Sequence, residues 1–176
     1  MPEKIVMLLI SDISDYEEQP FKVREDEEMD ALVESVKTFG VLNPAIVRPC
    51  KDGKYEMISG HRRKRASELA GKTHIPSIIR NLNDDEAAIA LVDSNLQREN
   101  ISPSERAFAY KLKYDAQKRQ GERTDLTSGH DVPKWEDFDK SDRQVRRYIR
   151  LTELVTPLLD KVDDKIEEKY GKTNLL

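Results

Sequence analysis

Residues 55–71 read YEMISGHRRKRASELAG. A short apolar strand candidate, Tyr55–Ser59, runs through Gly60 into a helix candidate, Arg62–Ala70, which Gly71 ends. Glycine at such a junction admits close backbone approach, a helix start offers unpaired N–H groups, and arginines add forked donors matched to phosphate oxygens. Cations are unfavourable at a helix N-terminus unless an anion compensates them. The stretch therefore reads either as a phosphate site or as a solvated basic surface.

Working outward, Asp52-Gly53 separates Tyr55–Ser59 from a second strand candidate, Val41–Arg48, and predicts a hairpin. Residues 4–10 predict another strand, followed by a polar turn through Ser11–Asp15. Glu25–Phe39 places Met29, Leu32, Val33, Val36 and Phe39 at helical spacing, with acids in the first turn and Gly40 after the last. His74–Arg80 predicts a further strand, with Pro76 favouring an edge or a strand start. Beyond Asn83 the pattern is helical throughout. An apolar helix covers Asp84–Arg98, and the capping box Ser102-Pro103-Ser104-Glu105 opens one that runs to about Gln120. Gly121–Trp135 reads as a loop. A second capping box, Ser141–Gln144, opens a helix with Val145, Ile149 and Leu154 inward and Arg143, Arg146, Arg147 and Arg150 outward. Thr156-Pro157 opens a last helix carrying Leu158, Leu159, Val162, Ile166 and Tyr170. The expected fold class is α+β: an α/β domain over 1–82 and a helical domain over 83–176.

The chain has 176 residues, 36% charged and 37% apolar, and a net charge of −4. It holds no apolar run near the ~18 residues of a membrane span, and Ile5–Ile10 is too short for a signal peptide, so a cytoplasmic protein is expected. A single cysteine, Cys50, and the spacing of His61, His74 and His130 argue against a disulfide or a His/Cys metal cage. Charge is unevenly spread: residues 1–40 carry 4 basic and 11 acidic side chains, residues 61–80 carry 6 and 1, and residues 139–150 carry 5 and 2. Phosphates respond to a local field, so the two basic segments are the places for a polyanion. The polar cluster Asp93–Asn100 also reads in two ways, as an ordinary helix end or as an amide and carboxylate set for hydrated Mg²⁺.

GHRRKRA, followed about thirty residues later by SNLQREN and SPSERAFAY, resembles the boxes of the ParB/Noc-like partition proteins. Their usual forms are GERRxRA and ENLQRxxLxPxEEA. Gln19-Pro20-Phe21 and Gly40–Arg48 resemble the earlier boxes of the same domain, in order, over roughly residues 5–120. The resemblance implies a ParB-like N-terminal domain that binds CTP and Mg²⁺ and a helical DNA-binding domain, acting together as a nucleotide-gated DNA clamp. It implies that Gly60, His61, Arg62 and Arg63 cradle the triphosphate, and that Gln19, Asn43, Pro44 and Ala45 line the nucleotide pocket. Asn95, Gln97 and Arg98 would approach the metal and phosphates. The family glutamates are replaced by His61 and Ser94, leaving Asp93 beside Asn95 as a metal ligand, so binding with at most weak CTP hydrolysis is expected.

The helix from Ser141 resembles the recognition helix of a helix-turn-helix. Arg143 and Gln144 would meet base edges, and Arg146, Arg147 and Arg150 would meet phosphates. Val132–Lys140 is short and acidic for the motif's first helix. As written, the chain shows neither the family's basic N-terminal tail nor its C-terminal dimerisation domain, and reads as a short relative. Expected partners are DNA, a second copy of the chain and a ParA-type ATPase, with no membrane. Two alternatives stand beside this reading. One is a kinase-like or nuclease-like enzyme on the fold shared with sulfiredoxins; product formation from labelled nucleotide or DNA would mark it. The other is a simple transcription regulator, whose DNA affinity would not change with nucleotide.

Overall fold

The computed structural model describes residues 3–98, 101–124, 142–154 and 156–170, with the backbone alone at 121–124, 142–144, 156–157 and 166–170. The chain divides into two compact units, Met1–Asn83 and Asp84–Leu176. The fold is α+β: a mixed sheet with helices in the first unit, and helices alone among the described residues of the second.

The first unit holds strands β1 (Ile5–Leu9), β2 (Ile13–Asp15), β3 (Ala45–Pro49), β4 (Tyr55–Ser59) and β5 (His74–Ile79), with helices α1 (Glu27–Phe39) and α2 (His61–Leu69). The sheet order is β1-β5-β3-β4-β2. β1 pairs β5 and β3 pairs β4 antiparallel, whereas β3 with β5 and β2 with β4 are parallel. The β3–β4 hairpin turns at Asp52-Gly53, where Gly53 takes φ +79° and Cys50 N–H closes the turn on the Lys54 carbonyl at 2.8 Å. Ile10, Ile13, Ala45, Val47, Met57 and Ile75 form the sheet's core, and Met29, Val33, Val36 and Ala66 form the layer between the helices. Val41 touches both clusters.

Two expectations for this unit are corrected. The polar turn at Ser11–Asp15 is instead a 3-10 turn over Ile10–Asp12 followed by β2. Ile13, 3% exposed, anchors that strand, and Ser14 Oγ donates to the Tyr55 carbonyl at 3.2 Å. Pro76 is neither at an edge nor at a strand start, because β5 lies between β1 and β3. The register explains how the sheet tolerates it. Ile10 N–H donates to the Thr73 carbonyl, so odd-numbered residues of β5 make the ladder with β1, and Pro76 faces Met7 in a non-hydrogen-bonded pair. Its nitrogen points instead toward β3, whose pairing with β5 starts one residue later, at Ser77.

The second unit holds α3 (Asp84–Leu96), α4 (Pro103–Thr124), α5 (Asp142–Leu151) and α6 (Thr156–Tyr170). Ala87, Ala88, Leu91 and Val92 of α3 are buried, as are Ala107, Ala109, Leu112 and Ala116 of α4. The capping box at the start of α4 is reciprocal: Glu105 N–H donates to Ser102 Oγ at 3.2 Å, and Ser102 N–H donates to Glu105 Oε2 at 3.0 Å. Asp163 of α6 adds a second acceptor there, taking Ser104 N–H at 3.0 Å as well as the Ser104 hydroxyl. α4 continues through Gly121 to Thr124, correcting the loop expected from Gly121. One glycine costs a helix only about 1 kcal/mol. Residues 125–135 of that loop, Val132–Lys140 and Ser141 lie outside the described residues. Val145 is buried on α5, but Leu154 is 36% exposed, since the helix ends at Leu151 and the chain turns. Of the apolar positions read on α6, Leu159 is buried and Leu158 is exposed.

Candidate functional site

Gly60 links β4 to α2 with φ +116°, a left-handed conformation that costs an L side chain roughly 1–2 kcal/mol. A Cβ placed there would lie 3.1 Å from Ala45 Cβ and 3.2 Å from Arg63 Nη2. The junction is thus a tight, strained turn that favours a bare peptide, since a side chain would need the neighbours to give by a few tenths of an ångström. Gly60 also offers no side chain to cap the first turn of α2.

The cations of this turn are engaged within the protein. Arg62 Nη2 donates to Asp26 Oδ1 at 3.1 Å and to Glu28 Oε2 at 3.4 Å. Asp26 is at the same time the N-cap of α1, accepting Met29 N–H at 2.9 Å. The Arg62 hydrogen bond, chiefly, holds the Asp26 carboxyl below the usual carboxylate range. Lys64 Nζ lies 2.9 Å from Asp15 Oδ1, and Arg65 pairs with Glu25 and Glu68. Arg63 points elsewhere: its Nη1 donates to the carbonyls of Asn43 and Pro44, each at 2.6 Å. Burial pulls this guanidinium below its ordinary value. The anions that compensate this basic helix start are therefore acids of residues 15–28 together with Glu68, a pairing that the charge of neither segment alone reveals. The acidic excess over residues 1–40 was the available signal.

Of the residues expected at the nucleotide, the structure brings Gly60, Arg63, Asn43, Pro44 and Ala45 together. His61 is buried in the first turn of α2. Gln19 Oε1 is a buried oxygen with no hydrogen-bond partner among the described residues, as an acceptor kept for a ligand would be. A bare peptide turn at a helix start and a buried amide oxygen fit a polar, anionic nucleotide.

Asn95, Gln97 and Arg98 belong to the second unit, at the C-terminal end of α3. Asn95 Nδ2 donates to the Leu91 carbonyl at 2.8 Å, which spends its nitrogen on the helix and leaves Oδ1 as its acceptor. That oxygen suits Mg²⁺. Asp93 is exposed and held by Lys113 of α4, and Ser94 Oγ donates to the Leu91 carbonyl at 3.0 Å. Among the described residues no group of three His, Cys, Asp or Glu side chains is placed to hold a metal ion.

On α5, Arg146, Arg147 and Arg150 are exposed, opposite the buried Val145. The side chains of Arg143 and Gln144 lie outside those described. Tyr148 anchors α5 to α4: its ring lies 5.6 Å from that of Tyr110, and the Arg106 guanidinium sits 5.9 Å above it. No helix of the described residues is long and apolar enough to cross a membrane.

The sheet topology, the Gly60 junction and the boxes around it define a class. The family model of the ParB N-terminal domain matches residues 2–96, more than half of the chain, and the chain belongs to that family. A nucleoid occlusion protein of Geobacillus sp. (strain WCH70) is 41% identical over 108 residues, 61% of this chain and 38% of that protein. The probable chromosome 1-partitioning protein ParB of Deinococcus radiodurans is 42% identical over 112 residues, 64% of this chain and 38% of that protein. The matched part thus spans little more than a third of these relatives. Among solved structures, C-terminally truncated ParB from Caulobacter crescentus complexed with CTP-gamma-S is 27% identical, with a TM-score of 0.51 over 96% of this chain and 88% of that one. The same protein complexed to the centromeric parS site is 26% identical, with a TM-score of 0.57 over 91% and 78%.

Proposed function

We propose that this chain is a DNA-binding, partition-type protein whose residues 1–82 bind CTP with Mg²⁺, and that the nucleotide gates a DNA clamp formed with a second copy. The observation that carries the reading is the Gly60 junction, a positive-φ glycine packed so closely on Ala45 that a Cβ there would stand 3.1 Å from the Ala45 methyl. The CTP-gamma-S and parS complexes of the C. crescentus relative support it. In this reading the first-turn amides of α2 meet the phosphates, and Arg62 exchanges its carboxylates for them. Arg63 holds Asn43 and Pro44, which line the pocket with Ala45 and Gln19. Asn95, Gln97 and Arg98 are assigned to Mg²⁺ and phosphates on the family resemblance alone, with Asp93 available as a metal ligand once released from Lys113. Bound Mg²⁺ neutralises phosphate charge. His61 and Ser94, in place of the family's glutamates, fit binding with little hydrolysis.

DNA is assigned to α5, through Arg143, Gln144, Arg146, Arg147 and Arg150, and a ParA-type ATPase is the further partner the family suggests. A ligand moves a conformational equilibrium only through differential contacts. The Arg62 exchange is one such difference. Calorimetric titration with CTP and Mg²⁺, with and without DNA, tests the reading: saturable binding is expected, and no heat with either sample removes it. ATP in parallel reads out base preference.

A further inference from the structure

The parallel register of β3 and β5 pairs Ala45 with Ser77, Ile46 with Ile78 and Val47 with Ile79. Its phase is set by the Arg80 N–H, which donates to the Val47 carbonyl at 2.9 Å. Successive bonds in a parallel ladder step by two residues on each strand. Counting back, residue 78 addresses the Ala45 carbonyl, and the same step carried one further, past the last paired residues into the bend at Asn43, would set residue 76 against the Asn43 carbonyl. Residue 76 is proline and has no N–H to give. The ladder stops there, and the Asn43 carbonyl accepts from Arg63 Nη1 at 2.6 Å instead. The same nitrogen reaches the Pro44 carbonyl, and Gly60 leaves room for Nη2.

We propose that Pro76 is a positioning residue for the nucleotide pocket: by withholding a backbone donor, it keeps the Asn43 carbonyl for Arg63, which then fixes the Asn43–Ala45 wall against the Gly60 turn. The proposal rests on the nucleotide reading above. A carbonyl oxygen can accept two donors, but an N–H at position 76 would draw the Asn43 carbonyl into line with the ladder and away from Arg63. It would lengthen the sheet by one bond while loosening the pocket wall, so stability and affinity should move in different directions. Loss of packing at a sheet residue moves both the same way.

The test is Pro76→Ala in the full chain, measured for CTP·Mg²⁺ affinity by calorimetry, for thermal midpoint, and for amide exchange over Val41–Ala45. Affinity should fall about two- to tenfold, the worth of one net hydrogen bond. The midpoint should hold or rise, and exchange at Val41 and Leu42 should quicken. In an Arg63→Met background the same substitution should cost nothing further in either affinity or exchange, because the two act through one carbonyl. Unchanged affinity, a midpoint that falls with affinity, or an equal cost in the Arg63→Met background overturns the proposal. If the unsubstituted chain binds no CTP, the nucleotide reading fails and the positioning role fails with it. Affinity loss without exchange coupling to Arg63 sinks the positioning role alone.

Discussion

Arg62 and Asp26 join the first turns of two helices: one oxygen of Asp26 caps α1 through Met29 N–H and also receives Arg62 Nη2 from α2. The pair makes stability depend on acid. With its folded pKa held below the ordinary value, the Asp26 carboxylate contributes fully above about pH 4, the unfolded value. That contribution is lost as pH falls through the lowered folded value. Asn can still cap a helix but cannot titrate. Asp26→Asn should therefore flatten the acid limb of a urea-midpoint-against-pH curve and leave the slope above pH 6 unchanged. An acid limb identical to that of the unsubstituted chain would show that the pair does not report on folding.

The same contact sets a cost for binding any anion at Arg62. Glu28 is 70% exposed and its only described role is at Arg62 Nη2, so Glu28→Gln should fold normally and raise CTP affinity about two- to fivefold, the range for a partly exposed ion pair. Glu27 lies in the same turn and is exposed, and Glu27→Gln serves as the control for lost negative charge. Equal gains from both variants would point to a general field rather than competition for one guanidinium. Arg62→Ala should weaken CTP binding far more than DNA binding.

Gly60→Ala should lose on two counts. The backbone at φ +116° disfavours an L residue, and the new methyl would press on Ala45 at 3.1 Å. Because Ala45 Cα is also within 3.3 Å, the neighbour cannot swing aside as a flexible side chain could. A stability loss of about 1–3 kcal/mol is expected, measured by urea unfolding, together with loss of CTP binding below the temperature at which the variant unfolds. Gly40 has a positive φ but open space around it, so Gly40→Ala should lose stability without losing the nucleotide.

What the sequence reveals and what it hides divide along the range of the interactions. The Asp52-Gly53 turn and the Ser102–Glu105 capping box depend on neighbours within a few residues, and both can be read directly from the chain. The Gly60 junction is legible for the same reason. β2 is not, because three residues become a strand only where β4 accepts Ile13 alongside Tyr55. Pro76 misleads because a proline is excluded from a sheet only where its nitrogen must donate, and that depends on register. The acidic partners of the basic segment are hidden for the same reason: Asp15, Glu25, Asp26 and Glu28 meet it from 34 to 49 positions away in the sequence. The acidic and basic halves of the first unit make one neutralised seam around the cradle.

The basic face of α5 has no such compensation at Arg147 and Arg150, which are exposed and make no ion pair among the described residues. Each phosphate neutralised by such a side chain contributes nearly one unit to the salt dependence of DNA affinity. Arg147→Ala with Arg150→Ala should therefore weaken binding across DNA sequences and lower the slope of log affinity against log salt by about two. CTP affinity measured without DNA should not change. Tyr148→Ala separates placement from charge: it removes the ring that Tyr110 and Arg106 hold while leaving every arginine in place. DNA binding should then weaken with α5 less firmly seated, whereas a variant that binds as before would show that the helix needs no support from α4.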